Sequence, residues 1–150
     1  MNPNLIKYVS QSRSILLSDY VKLPTRGSSG AAGWDVYCPA HISIAPQQTY
    51  LIKLGFKLEI PKGYYISLLL RSSWGKKGLT MPHGVGIIDE DYRGEMGLLI
   101  KNDTNKLISI KQDERVAQII LQEYEVFDWE IVDELQETAR NTGGFGSTGK

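Results

Sequence analysis

Asp89 closes a glycine-rich apolar stretch, Gly84-Val-Gly-Ile-Ile88, and opens a polar run, Asp89-Glu-Asp-Tyr92-Arg-Gly94. A carboxylate at that boundary is expected to be partly desolvated, as a general base needs. The same residues also read as nothing more than a polar hairpin between Ile88 and Met96. A calcium loop fails, because its pattern needs an acidic or Asn residue where Arg93 stands and a Glu where Ile100 stands. A second group, Arg71-Ser72-Ser73-Trp74-Gly75-Lys76-Lys77, follows an apolar run. A guanidinium fork, two hydroxyls and backbone N–H groups at a strand end make an anion site. A solvated turn after a core strand has the same spacing, so both readings stand. The third group is C-terminal: Arg140, then Phe145-Gly146-Ser147-Thr148-Gly149. Glycine lets backbone N–H groups approach phosphate, hydroxyls add donors, and a phenyl ring can cover a planar base. A plain flexible linker is the competing reading. Gly144 to Lys150 matches the first positions of a P-loop, but it lacks the following Ser or Thr and the strand and helix that frame one. His41 and His83 are too few and too isolated for a metal-ligand set, and Cys38 has no base partner nearby and reads as a small buried residue.

These residues need rigid elements to hold them, and the dominant hydrophobic period along the chain is two. Tyr50, Ile52, Leu54, Phe56, Leu58 and Ile60 alternate with mostly polar residues up to Pro61, which predicts one half-buried strand. Phe127, Trp129 and Ile131 alternate in the same way with Asp128 and Glu130. Tyr64 to Leu70 is a continuous apolar run suited to a strand buried on both faces. Met96–Ile100, Leu107–Ile110 and Val116–Tyr124 are further strand candidates. Asp113 to Tyr124 also fits a helical period through Val116, Ile119 and Ile120. Glycine, proline and asparagine turns fall between the runs, which points to an all-β barrel or double-sheet jelly roll.

The 150 residues suit one domain, long enough to bury roughly 68–70% of the unfolded surface. Seventeen Lys+Arg balance seventeen Asp+Glu, which argues against a nucleic-acid binder. A single cysteine excludes an internal disulfide framework and any multi-cysteine zinc site. The longest apolar patch near the N-terminus is Ile15-Leu16-Leu17, and no stretch is long enough to span a membrane, so a cytoplasmic, intracellular protein is expected. The sequon Asn102-Asp103-Thr104 is then read as chance.

Five segments in a fixed order resemble the trimeric dUTP pyrophosphatases (dUTPases). They are Ala31-Ala-Gly-Trp-Asp35-Val-Tyr37; Leu70-Arg-Ser-Ser73; Gly84-Val-Gly-Ile-Ile-Asp89-Glu-Asp-Tyr92-Arg-Gly94; Asp113-Glu-Arg115-Val-Ala-Gln118; and Arg140-Asn-Thr-Gly-Gly-Phe145-Gly-Ser-Thr-Gly149. The resemblance implies one jelly-roll-like β-barrel domain over residues 1–150. In it, residues 1–20 form an N-terminal strand or extension and 140–150 a flexible C-terminal arm. It further implies a homotrimer whose arm crosses to a neighbour's site.

It also implies hydrolysis of dUTP to dUMP and pyrophosphate, keeping uracil out of DNA and supplying dUMP for thymidylate synthesis. By resemblance, Asp89 positions and deprotonates the water that attacks the α-phosphorus. Magnesium is held by the phosphates and water, with no direct protein ligand. Arg71, Ser72, Ser73, Gln118 and Arg140 cradle the phosphates, and Gly146, Ser147 and Thr148 close over the γ end. Asp35 supports the site. The segment from His83 through Gly86 and Ile87 to Asp89 reads uracil, Tyr92 packs on the deoxyribose, and Phe145 stacks over the base. The chain departs from the family at His83 (often Asn), Trp74 (usually Leu), Leu70 (usually Pro), Trp34 (often Tyr or Leu), Asp113-Glu114 (commonly Gly-Asp) and Asn141 (a Gly). Two other readings belong beside this one. One is a dCTP deaminase-like enzyme, which would lack the Tyr92 segment and the Phe145 arm. The other is a dUTP-binding regulatory module that acts on protein partners.

Overall fold

The computed structural model describes residues 15–144. Among them are eleven short strands and one helical turn: β1 Ile15–Leu17, β2 Trp34–Tyr37, β3 Ile42–Ile44, β4 Thr49–Lys53, β5 Phe56–Leu58, β6 Tyr64–Leu70, α1 Ser72–Gly75, β7 Leu79–Thr80, β8 Gly86–Ile88, β9 Gly97–Asn102, β10 Ile108–Ile110 and β11 Arg115–Glu123. All pairings are antiparallel, in sheets ordered β1-β5, β10-β3, β2-β11-β6-β8 and β4-β9-β7. This is the expected all-β, jelly-roll-like arrangement. Apolar faces of the sheets meet in one core that includes Val36, Ile44, Ile52, Leu54, Phe56, Leu68, Leu98, Ile100, Ile110 and Val116. No helix of the described residues is long and apolar enough to cross a membrane.

The predicted strand from Tyr50 to Ile60 is two strands. The chain turns a corner at Gly55, whose φ of 74° is in the left-handed region. A Cβ there would overlap the Val21 side chain, so the corner needs glycine. The Gly55 N–H donates to Glu95 Oε1 at 3.0 Å, and its carbonyl accepts the Ser18 N–H at 3.0 Å. The corner moves the chain from pairing with β9 to pairing with β1, while Ile52, Leu54 and Phe56 all stay buried.

Asp113 to Tyr124 contributes a strand, not a helix. β11 is central, with β2 on one side and β6 on the other, so neighbours override the helical period. A register shift between Arg115 and Ala117 lets consecutive Val116 and Ala117 both be buried. Phe127, Trp129 and Ile131 form no strand in this chain. The sequon asparagine, Asn102, is fully buried: its amide donates to the carbonyls of Ile44 and Lys106, and its Oδ1 accepts from Thr104. It is a core hinge between strands, and its nitrogen is not available to a glycan.

Candidate active site

One cluster gathers where β6 ends. The central strand sets Gln118 level with Asp35 on β2 and with Leu69 on β6. A Cβ on Gly33 would lie 2.7 Å from Gln118 Oε1, so this glycine makes room for that side chain. Arg71 follows β6 directly. Its Nε lies 3.1 Å from Asp35 Oδ1, while Arg115 Nη1 donates to Asp35 Oδ2 at 3.2 Å. The Asp35 side chain is 15% exposed, against 29% for Arg71 and 48% for Arg115. A mostly buried carboxylate thus holds two partly exposed guanidinium groups, one on each oxygen. Such partly exposed pairs contribute only about 0–1 kcal/mol of stability, so their effect is orientation. Ser72 and Ser73 are exposed on α1 beside them. Beneath, buried Trp74 donates its indole N–H to the Arg115 carbonyl at 2.9 Å, and the Arg71 N–H reaches Val116 O at 3.1 Å. Helical turn and bulged strand are therefore locked together.

A second cluster lies along β8. This is an edge strand: β6 pairs with one side, and no described strand pairs with the other. Its outer backbone groups and the Ile87 side chain, 53% exposed, face out. Gly84 turns the chain at φ 76°, its N–H donating to Met81 O at 2.9 Å. This brings His83 back over Gly86, where Nε2 would stand 3.6 Å from a Cβ on that glycine. The expected hairpins on either side of β8 are sheet crossings. β8 pairs with β6, whereas β7 and β9 pair with each other in a different sheet. The 89–94 segment is held by its own contacts: the Tyr92 N–H to Asp89 O, the Tyr92 hydroxyl to Glu95 O at 3.0 Å, and Arg93 Nη1 to Glu90 O at 2.6 Å. The Tyr92 ring folds over Gly94, where any Cβ would overlap it, and keeps its outer face exposed.

Asp89 is exposed in this chain, not partly desolvated, because the end of an edge strand has no covering element. It opens onto a cleft of about 520 Å³ lined by Tyr65, Ile87, Asp89, Glu90, Asp91 and Tyr124. Among the described residues, no group of three or more His, Cys, Asp or Glu is placed to hold a metal.

The two clusters lie at opposite ends of β6. Ile88 pairs with Ile66, so Asp89 is level with Tyr65, whereas Arg71 follows Leu70. At ~3.3 Å per residue, the six residues from Tyr65 to Arg71 span about 20 Å. One chain therefore brings together Asp35, Arg71, Ser72, Ser73 and Gln118, and separately His83, Gly86, Ile87, Asp89 and Tyr92. Arg140 is exposed in a turn closed by the Gly143 N–H on its carbonyl, and Asn141 sits at a left-handed φ of 46° that glycine would reach more easily. Phe145, Gly146, Ser147 and Thr148 lie outside the described residues. Sequence reasoning missed Arg115 as a site residue, although it stands inside the segment quoted with Gln118.

Comparison with known proteins adds the family. A dUTPase family model matches residues 19–149. The deoxyuridine 5'-triphosphate nucleotidohydrolase of Mus musculus is 37% identical over 142 residues, covering 92% of this chain and 85% of that protein. The enzyme of the same name from Bdellovibrio bacteriovorus is 40% identical over 131 residues, covering 85% and 88%. The dUTPase of Staphylococcus bacteriophage 80alpha, solved with dUPNHPP, is 26% identical with a TM-score of 0.85, covering 94% of this chain and all of that one. A phage phi11 dUTPase, 22% identical with a TM-score of 0.77 over 85% of this chain, shares the fold; its structure concerns the coordination of a structural Mg(II) ion.

Proposed function

The chain belongs to the dUTPase family and hydrolyses dUTP as a dUTP diphosphatase, and from that premise we propose that each of its active sites is divided between copies of the chain. The observation that carries this reading is the separation along β6. A base must come within about 2.6–3.2 Å of the proton it takes, and a phosphate clamp must touch the same triphosphate. Asp89 and Arg71 of one chain are several times too far apart to do both. Asp89 of one copy therefore works with Arg71, Ser72, Ser73 and Gln118 of another. A second observation agrees. After β11 the chain runs without a strand partner, and it exposes Val126 at 85%, Trp129 at 87%, Ile131 at 99% and Leu135 at 87%. An alternating apolar segment this exposed calls for a neighbouring chain. A homotrimer, with Arg140, Phe145, Gly146, Ser147 and Thr148 reaching an adjacent site, meets both demands.

In this reading Asp89 orients a water in line with the α-phosphorus and accepts its proton. The guanidinium of Arg71, aimed by Asp35, the two serine hydroxyls and the Gln118 amide hold the phosphate oxygens where charge builds up. Arg115, held by the same carboxylate, adds a second cation. Magnesium suits this donor set. With no carboxylate cage among the described residues, the ion would be held by phosphate oxygens and water, as it prefers, with Asp89 and Asp35 as the acidic groups nearest the reacting end. When bound, it neutralises phosphate charge.

The outer edge of β8 supplies backbone donors and acceptors in the pattern a base pair would, so uracil is read at Gly86 and Ile87, with His83 beside them. Cytosine would leave buried groups unpaired there. Tyr92, backed by Gly94, meets the deoxyribose. The substrate is an intracellular nucleotide, and an intracellular location goes with it.

Asp89→Asn tests the assignment. It is expected to bind dUTP while losing about 10²–10⁴ in turnover, the usual worth of a positioned base. Near-normal pyrophosphate release by this variant would remove Asp89 from the role.

A further inference from the structure

Glu90, next to Asp89, is fastened on two sides. Its Oε2 accepts the Gly63 N–H at 2.5 Å, and it lines the same cleft as Tyr124. Gly63 in turn accepts the Tyr124 N–H on its carbonyl at 3.1 Å. Through these two hydrogen bonds Gly63 ties together three segments far apart in sequence: the Pro61–Gly63 turn before β6, the segment after β8, and the end of β11. Gly63 adopts φ 81° to present both its groups, a conformation glycine favours. The Tyr124 ring is braced in turn by Tyr65, with centroids 6.4 Å apart. The Glu90 carbonyl accepts from Arg93 Nη1 at 2.6 Å, so main chain and side chain are both fixed.

Among the described residues Asp89 is held at its carbonyl, by the Tyr92 N–H at 3.1 Å, and its side chain is exposed. It is exposed at the end of an edge strand, and its carboxylate direction is set by the backbone of its neighbours. We infer that Glu90 is a positioning residue for hydrolysis: through Gly63 and Tyr124 it fixes the backbone that aims Asp89 at the attacking water. This rests on the assignment of Asp89 as the base. The charged and titratable groups facing Glu90 are Lys62 beside the turn, Arg93 on its own segment and Tyr124, with Asp89 and Asp91 on the Tyr124 side. The Gly63 N–H first, then the Tyr124 side chain, with Lys62 and Arg93 after them, favour the ionised Glu90 carboxylate.

The test measures kcat and KM for dUTP in Glu90→Ala, Glu90→Gln and Tyr124→Phe, each also in an Asp89→Asn background. Misaiming a base by about 1 Å can cost up to 10²-fold. Glu90→Ala should therefore lower kcat by about tenfold to 10²-fold with KM nearly unchanged, and Glu90→Gln, which can still accept from Gly63, should retain kcat within about threefold. Tyr124→Phe, which keeps the fold's apolar contacts, should lower kcat by a smaller factor in the same direction. In the Asp89→Asn background, Glu90→Ala should have no further effect. The positioning role is overturned if Glu90→Ala leaves kcat intact, if KM rises instead, or if the loss is equally large without Asp89. Should Glu90→Ala fail to fold, an unchanged kcat in Tyr124→Phe overturns it. The failure of the Asp89 assignment is separate, since it would show in Asp89→Asn alone as retained turnover.

Discussion

At the scale of single residues, two carboxylates do different work. Asp35 gives both its oxygens to guanidinium groups and so orients Arg71 and Arg115. Glu90 accepts from Gly63, and that N–H first, then the Tyr124 side chain, hold its carboxyl below the usual carboxylate range. The sign of the resulting pH dependence follows. A lowered folded-state pKa gives stability that is present above the unfolded value, near 4.3 for Glu, and is lost as pH falls through the folded value. Glu90→Gln should therefore melt below the wild type at pH 7, and the gap should close as pH falls below about 4. Thermal melts of the two proteins across that range check it, and a gap that is constant with pH contradicts it. Little of this was legible in the sequence. Asp89 and Arg71 stand out by type and spacing, and Gln118 only through the family resemblance, whereas residues 63, 90 and 124 meet only through the sheet register.

At the scale of elements, what matters is how short strands are tied. Tyr64–Leu70 was readable as a strand because an apolar run between turns, broken only by Ser67, has few other fates. The corner at Gly55 was not, since the alternation of buried side chains continues through it and only the backbone changes partner. The central strand β11 is bulged at Val116, between the paired residues Arg115 and Ala117, and Trp74 satisfies the Arg115 carbonyl from α1. A leucine there would have no donor to offer. Trp74→Phe keeps an apolar ring but leaves that carbonyl without its partner. The expected cost is about 1–3 kcal/mol in urea unfolding, with KM for dUTP raised as the Asp35–Arg71–Arg115 frame loosens. Unchanged stability and KM would show that α1 is held by packing alone.

At the scale of the whole molecule, one chain displays two separate clusters and, among the described residues, an alternating apolar segment without a strand partner. Phe127, Trp129 and Ile131 alternate in the sequence like a half-buried strand but are exposed and form no strand, and in the proposed trimer their partner would belong to another copy, which a single sequence does not say. Asp89, expected to be partly desolvated, is exposed in the single chain; in the proposed assembly another copy and the substrate would shield it. The central claim, a base from one copy serving the phosphate clamp of another, is tested most directly by mixing two inactive variants. Asp89→Asn and Arg71→Ala subunits, unfolded and refolded together, should form hybrid trimers in which some sites combine an intact Asp89 with an intact Arg71. The account predicts that pyrophosphate release from dUTP returns in the mixture to a substantial fraction of wild type, while each variant refolded alone stays inactive. A mixture that forms hybrids yet remains as inactive as its components would contradict it.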